Sequence, residues 1–155
     1  MADEMEVGRK VENITTYTPS LLQSIPREEQ RKKLGIIETS LPFKGMDIWN
    51  AYEFSWVDGK GKPEAVLAQF QIPGNSPNLI ESRSLKLYLG SYCNTPFNHR
   101  NEVISTLESD LTLAARAPVS VSFMTPEQVQ HVGLGSLVGN SLDNLDVEIS
   151  EYYWN

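Results

Sequence analysis

Residues 46–72, MDIWNAYEFSWVDGKGKPEAVLAQFQI, decide the fold because two alternating segments flank a turn. The first segment, 46–57, is rich in the aromatic and β-branched residues that favour strands. The DGKGK sequence at 58–62 supplies glycines that accept a positive φ, and 65–72 alternates again, so the whole predicts an antiparallel β-hairpin. The residues expected on one face are Ile48, Tyr52, Phe54 and Trp56 of the first strand, and Val66, Ala68, Phe70 and Ile72 of the second.

The segment after the hairpin, NLIESRSLKLYLGSY at 78–92, predicts the first helix. With Asn78 as N-cap and Glu81 at the third helical position, it would begin with a capping box. Its apolar residues recur at helical spacing, namely Leu85, Tyr88, Leu89 and Tyr92.

Further segments complete the predicted domain. A second helix is predicted over 101–115, strands over 118–123 and 145–150, a short helix over 125–130 and a loop over 131–144. The residues expected in the core are Val103, Leu107, Leu111 and Ala115 of the helix, Val119, Val121 and Phe123 of one strand, and Leu145, Val147 and Ile149 of the other. The order β-β-α-α-β-β predicts an α+β fold with an antiparallel sheet and both helices packed on one face.

Two regions are expected, an arm over 1–40 and a compact module over 41–155. The charged run Arg27–Lys33 in the arm predicts one or two solvated helical turns. A chain of 155 residues has the length of one domain with one core.

Composition limits the function classes. The net charge is −7 and the pI about 4.8, so the chain lacks the basic surface that nucleic-acid binding uses. The single cysteine, Cys93, cannot form an internal disulfide, which favours a reducing compartment. No apolar run has the length of a signal peptide or a membrane span. We therefore expect a cytoplasmic protein without nucleic-acid or membrane partners.

Few residues have the chemistry of a catalytic centre. Two histidines, His99 and His131, are too few for a catalytic zinc site, so we expect surface or capping histidines and no metal. No adjacent base or cation activates Cys93, which predicts a structural thiol. The glycines within 133–139 lack the spacing of a dinucleotide-binding loop.

The start of the helix predicted at 78–92 has two interpretations. In one, Glu81 only caps the helix and the neighbouring charged side chains are solvated. In the other, the free N–H groups of a helix start, the Ser82 hydroxyl and the forked Arg83 cation suit a phosphate. The Glu81 carboxylate could then accept paired N–H donors from a purine-like ring. The residues alone leave both interpretations open.

The stretch LIESRSLKLYL at 79–89 resembles the signature E-S-K-S-hydrophobic-K-L-Y of the QueF-type 7-cyano-7-deazaguanine reductases, the nitrile reductases of the queuosine pathway. The one departure is Arg83 in place of lysine. Other stretches resemble the amino-terminal half of the long, two-module form, and the likeness covers most of 18–150: SLLQSIPREEQRKKLGI, LPFKGMDIWNAYEFSW, GKGKPEAVLAQFQIP and TPFNHRNEVISTLESDL.

The resemblance implies a tunnelling fold, in which modules assemble into barrels and ligands bind at the seams, and hence a homo-oligomer. It implies reduction of the nitrile of 7-cyano-7-deazaguanine, as the free base, to an aminomethyl group with two NADPH. It also implies that Ile80, Glu81 and Ser82 contact this substrate, and that Ser82 and Arg83 contact NADPH.

The resemblance supplies no nucleophile here. In the family, a cysteine of the other module attacks the nitrile, with an aspartate seven residues later, whereas Arg100 stands at that distance from Cys93. The family's His-Glu substrate pair is also missing, since Arg100 follows His99. We therefore expect no catalytic residue in this chain, and a fragment that ends at Asn155 and is inactive alone.

Two alternatives remain beside this interpretation. One is a non-catalytic binding or assembly module of the same fold. The other is a different tunnelling-fold enzyme, such as a pterin synthase or a GTP cyclohydrolase, although these usually show a set of zinc ligands that this sequence lacks.

Overall fold

The computed structural model describes residues 14–129, 135 and 138–151, and the fold there mixes α and β elements, as predicted. The strands are β1 (Ser24–Pro26), β2 (Met46–Asp58), β3 (Pro63–Pro73), β4 (Asn78–Ile80), β5 (Pro96–Phe97) and β6 (Ser120–Met124). The helices are α1 (Glu28–Lys33), α2 (Ser82–Gly90), α3 (Arg100–Ala115) and α4 (Pro126–Val129), with a 3-10 helix at Pro19–Leu21. Within these residues, no helix has both the length and the apolar character that crossing a bilayer requires.

The predicted hairpin forms the centre of a four-stranded sheet with the order β5-β2-β3-β6. β3 pairs antiparallel with β2 on one side and with β6 on the other. β5 pairs in parallel with the end of β2, so the prediction of a purely antiparallel sheet is wrong at this edge. A second sheet contains only β1 and β4, which are antiparallel.

The turn between β2 and β3 is the predicted DGKGK segment. The Asp58 carboxylate accepts hydrogen bonds from the backbone N–H groups of Lys60 and Lys62, at 2.8 and 2.9 Å. Gly61 has φ +83°, a conformation that favours glycine, so the turn prediction is confirmed for its physical reason.

A β-bulge in β2 reverses the faces on which its side chains lie. Relative to β3, the strand carries an extra residue between Ala51 and Phe54. Ile48 before the bulge and Tyr52 within it are 58% and 72% exposed, whereas Phe54 and Trp56 beyond it are buried. The prediction that these residues share one face is therefore wrong, because one extra residue shifts the two-residue alternation to the opposite face.

The described helices α2 and α3 share one core with β3, and most of the predicted core residues lie in it. The buried members are Phe54 and Trp56, Val66, Ala68, Phe70 and Ile72, Leu85, Tyr88 and Tyr92, Val103, Leu107, Leu111 and Ala115, and Val119 and Val121, together with Ile80, while Leu89 and Phe123 pack against them half-buried. The helical and two-residue spacing of apolar residues predicted this core, because such spacing places them on one face of a helix or strand, which is then buried.

The strand predicted over 145–150 is not formed. Leu145, Val147 and Ile149 are 57%, 63% and 61% exposed, and the structure gives this segment no strand pairing. Alternation predicts a strand only where a neighbouring strand can bond its backbone, and none of the described strands lies beside it. The predicted β-β-α-α-β-β order therefore lacks its last strand here, and it did not contain the short strands β1, β4 and β5.

The short helix predicted at 125–130 is α4, and Thr125 caps it. Thr125 Oγ1 accepts from the Gln128 N–H at 3.4 Å, and Gln128 Oε1 accepts from the Thr125 N–H at 2.8 Å. Of the loop predicted over 131–144, residues 138–144 contain neither helix nor strand, and the remainder lies outside the described residues apart from Gly135.

The sequence predicted that the charged run Arg27–Lys33 is solvated. This prediction is wrong at Arg31 in α1, which is 6% exposed. It donates to Glu38 Oε2 at 2.7 Å and to the Gly74 carbonyl at 2.5 Å, and its guanidinium lies 5.8 Å from the centre of the Phe43 ring. These partners satisfy the buried cation, which a sequence pattern does not reveal.

Candidate functional site

The predicted site lies where β4 ends and α2 begins. Ile80 is the last residue of β4, Ser82 is the first of α2, and Glu81 joins them. The predicted helix start at Asn78 is wrong, because Asn78 belongs to β4 and its side-chain amide donates to the Ala114 carbonyl at 3.0 Å. The partner strand, β1, lies in the arm, and its pairing was not visible in the local pattern.

Glu81 is itself the N-cap of α2, rather than the third helical residue of a capping box. Its Oε1 accepts from the Arg83 N–H at 2.9 Å and its Oε2 from the Ser84 N–H at 2.6 Å. Two of the N–H groups that a helix start normally leaves free are thus bonded to a carboxylate. An anion at this point must therefore be held mainly by the Ser82 and Arg83 side chains.

The environment of Glu81 favours its ionised form. Burial opposes ionisation, but the N–H groups of Arg83 and Ser84, the Arg83 cation and the Ser82 hydroxyl outweigh it, so the pKa of Glu81 lies below its ordinary value. An ionised carboxylate offers about four lone-pair positions, and the backbone takes one on each oxygen. Glu81 can therefore cap the helix and still accept N–H groups from a ligand.

Ile80 and the residues after Glu81 present different groups to a ligand. The Ile80 side chain is 1% exposed and lies in the core, whereas Ser82 and Arg83 are exposed. The Glu81 N–H donates to the Gln23 carbonyl at 2.9 Å, and such bonds alternate along an antiparallel pair. The peptide groups of Ile80 thus point away from β1, so Ile80 can reach a ligand only through its main chain.

Ser82 and Arg83 are exposed and Glu81 is half-buried, and residues 80–83 line none of four concavities found among the described residues. The largest of these, about 530 Å³, includes Phe43, and one of about 300 Å³ includes Tyr52 at the bulge. Two others, of about 330 and 250 Å³, share Lys86 and Cys93. The exposed groups of this turn therefore belong to Glu81, Ser82 and Arg83, outside these four concavities.

His99 and Cys93 are not part of this turn. His99 occupies the N-cap position of α3, and Cys93 is a half-buried free thiol. Within 14–129, 135 and 138–151, no group of three or more His, Cys, Asp or Glu side chains is placed to hold a metal ion. His131 and Gly133 lie outside the described residues.

Ser84 has a part in this turn that was not predicted from the sequence. Ser84 is 4% exposed, and its Oγ donates to the Glu81 carbonyl at 2.8 Å and accepts from the Gln23 N–H at 3.0 Å. A signal was available, because Ser84 precedes Tyr88 by one helical turn and therefore lies on the buried stripe.

Comparison with known proteins agrees with the resemblance of the signature. Residues 13–123 match the family described as nitrile reductase, 7-cyano-7-deazaguanine reductase, N-terminal. The chain is 45% identical over 146 residues to the NADPH-dependent 7-cyano-7-deazaguanine reductase of Bordetella avium (strain 197N), covering 94% of this chain and 53% of that protein. It thus spans about half the length of the curated relative it matches. From the extent of both matches, the chain belongs to the family of the amino-terminal domain of 7-cyano-7-deazaguanine nitrile reductases.

Proposed function

We propose that this chain is the ligand-binding, amino-terminal module of an NADPH-dependent nitrile reductase that converts 7-cyano-7-deazaguanine to 7-aminomethyl-7-deazaguanine in queuosine biosynthesis. The observation that carries the proposal is the ionised Glu81 carboxylate, which keeps free acceptor positions beside the exposed Ser82 and Arg83. Conversion of a nitrile to an aminomethyl group takes four electrons and four protons. Two NADPH supply two hydrides, and two further protons come from the protein or water.

Each residue of the turn has a role in this proposal. Glu81 accepts N–H groups of the deazaguanine ring, and the Ile80 main chain adds a peptide donor or acceptor beside it. Arg83 holds a phosphate of NADPH with its forked guanidinium, and the Ser82 hydroxyl lies between the two ligands. The residues present therefore fit NADPH through side chains rather than through the Arg83 and Ser84 N–H groups, which Glu81 occupies.

The nucleophile in this proposal lies outside the described residues. Cys93 follows the C-terminal end of α2, whereas Glu81 lies at its start. A nine-residue helix is about 13 Å long, so the thiol of Cys93 cannot attack a nitrile held at Glu81. We therefore infer that a second module supplies the cysteine and that the chain alone is inactive.

We propose that the chain forms a tunnelling-fold module, with α2 and α3 on one face of the sheet, and that it assembles as a homo-oligomer. The shared core of α2, α3 and β3 supports this arrangement, as does the exposure of Ile48 and Tyr52 on the opposite face of β2. We also propose a cytoplasmic protein without an RNA partner, since the substrate is a free base.

The proposal is tested with a chimera in which this chain replaces the matching part of the Bordetella avium reductase. We expect NADPH oxidation that depends on 7-cyano-7-deazaguanine, followed at 340 nm, from the chimera and none from the chain alone. Glu81→Ala should raise the KM for the nitrile about tenfold or more, and Arg83→Ala the KM for NADPH, because each removes a charge-assisted contact. Glu28→Ala, at the first turn of α1, is the matched control.

Two results would contradict the proposal. Turnover by the chain alone would show that it contains its own nucleophile. Unchanged KM values in both variants would remove residues 81–83 from the ligand site. The second result would favour the other candidate, a non-catalytic assembly module, which the exposure of Ser82 and Arg83 also suits.

A further inference from the structure

Two buried serines of α2 and its C-cap hold the backbone of the arm in the same way. Ser84 and Ser91 are 4% and 0% exposed. Each hydroxyl donates to the carbonyl three residues earlier, Ser84 to Glu81 at 2.8 Å and Ser91 to Tyr88 at 2.6 Å. Each Oγ also accepts an N–H of the arm, from Gln23 at 3.0 Å and from Thr18 at 3.1 Å. The arm is thus fixed at both ends of α2.

Of these two serines, only Ser84 bonds to Glu81, in the turn of the proposed site. The Glu81 N–H donates to the Gln23 carbonyl at 2.9 Å, and the Gln23 N–H donates to Ser84 Oγ. Ser84 in turn donates to the Glu81 carbonyl, while its own N–H donates to the Glu81 carboxylate at 2.6 Å. These bonds form a closed ring through Glu81, Ser84 and Gln23, which fixes both the peptide and the side chain of Glu81.

From this ring we infer that Ser84 is a positioning residue for ligand binding and that Gln23 of the arm belongs to the site as its support. The inference rests on the proposed function of Glu81. Ser84 touches no ligand, and it acts by restricting the orientation of the Glu81 carboxylate. If the Glu81 carboxylate must be ordered when the ligand binds, the free energy of ordering makes binding less favourable and the affinity falls.

Removal of the Ser84 hydroxyl opens the ring at two bonds. The Gln23 N–H loses its acceptor, and the Glu81 carbonyl keeps only the Leu85 N–H, at 3.0 Å. Removal of the Ser91 hydroxyl breaks two bonds of the same kinds at the other end of α2. The two alanine variants therefore have similar structural costs and differ in their distance from Glu81.

The experiment compares Ser84→Ala with Ser91→Ala in the chimera. We expect both variants to lower Tm by similar amounts. Ser84→Ala should raise the KM for 7-cyano-7-deazaguanine about three- to tenfold, the cost of a hydrogen bond or two, while Ser91→Ala changes it less than about twofold. Ser84→Thr, which restores a hydroxyl, should recover most of the affinity. Amide exchange of the Arg83 and Ser84 N–H groups should be faster in Ser84→Ala than in Ser91→Ala.

Equal KM values for the two alanine variants would overturn the inference, provided that Glu81→Ala still raises the KM. If Glu81→Ala also leaves the KM unchanged, the proposed function is contradicted instead, so the two failures are distinguishable. Should Ser84→Ala not fold, Ser84→Cys and Ser91→Cys take their places. The larger thiol fills the space of the hydroxyl and weakens both hydrogen bonds, so we expect a smaller difference in KM in the same direction.

Discussion

The hydroxyl of Tyr17 donates a 2.6 Å hydrogen bond to Asp110 Oδ2, joining the arm to α3 across 93 positions of sequence. The same oxygen accepts from the Tyr88 hydroxyl at 2.6 Å, and the Tyr88 and Tyr92 hydroxyls lie 2.6 Å apart. One carboxylate of α3 therefore ties the arm to α2. A polar network that is partly buried and has every member bonded favours one arrangement of the elements it joins.

Loss of the Tyr17 hydroxyl should lower stability measurably. We expect Tyr17→Phe to reduce the free energy of unfolding by about 1–2 kcal/mol, because a hydrogen bond to a charged acceptor is lost while the ring stays packed. Urea denaturation followed by circular dichroism measures the change. Tyr52→Phe is the control, since Tyr52 is 72% exposed. Equal effects of the two substitutions would show that the bond to Asp110 contributes nothing.

The tyrosine cluster should make the fold sensitive to alkaline pH. Burial, the largest cause, and the Asp110 charge raise the pKa of Tyr17 and Tyr88 above that of an ordinary phenol, and burial raises that of Tyr92. A raised pKa gives stability that is complete below the unfolded-state value and is lost above it, so stability should fall as pH rises past about 10. Absorbance at 295 nm should show that Tyr17, Tyr88 and Tyr92 ionise only on unfolding. Ionisation of these three without unfolding would contradict this.

The N-cap role of Glu81 predicts an opposite dependence at acid pH. Because the pKa of Glu81 is lowered, its contribution to stability is present above the ordinary glutamate pKa and is lost as pH falls through the folded-state value. We expect Glu81→Gln to be less stable than wild type at pH 7, by about 0.5–1 kcal/mol for a weakened cap. The difference should shrink towards pH 3 in urea titrations. A difference that is constant with pH would show that the charge has no part in the cap.

The bulge in β2 predicts unequal costs for two aromatic residues separated by one position. Phe54→Ala should cost about 3–5 kcal/mol, because it opens a cavity among buried side chains. Tyr52→Ala should cost less than about 0.5 kcal/mol, because its ring lies in solvent. Chemical denaturation of both variants measures this. Similar costs would mean that the strand keeps the simple alternation predicted from its sequence.

Arg116, the C-cap of α3, lies in the left-handed region with φ +56° and ψ +33°. This conformation strains a residue with a Cβ atom and suits glycine. Arg116→Gly should therefore raise the free energy of unfolding by about 0.5–1 kcal/mol. Gly61→Ala, at φ +83° in the hairpin turn, should have the opposite sign. Thermal unfolding of both variants measures the two changes in stability. Destabilisation by Arg116→Gly would show that the arginine side chain makes a stabilising contact.

Sequence periodicity predicted those parts of the fold that depend on neighbouring residues. The alternation of Val66 to Ile72 and the stripe from Val103 to Ala115 gave the right elements and the right buried faces. It failed where a distant segment decided the outcome. Asn78 could cap a helix by its sequence, but β1 was available as a strand partner, and the backbone bonds of that pair placed the helix start after Glu81.

For the candidate site, the sequence by itself determined the chemical groups and their order, since the signature at 79–89 identified the turn and the family match agrees with it. Only the tertiary structure decided how those groups are presented. In the folded chain the Ile80 side chain lies in the core and the Glu81 carboxylate accepts hydrogen bonds from the Arg83 and Ser84 N–H groups. Gln23 contacts Ser84, which lies 61 positions away in the sequence. The physical reason is that side-chain type is local, whereas burial and hydrogen-bond partners depend on which distant segments meet.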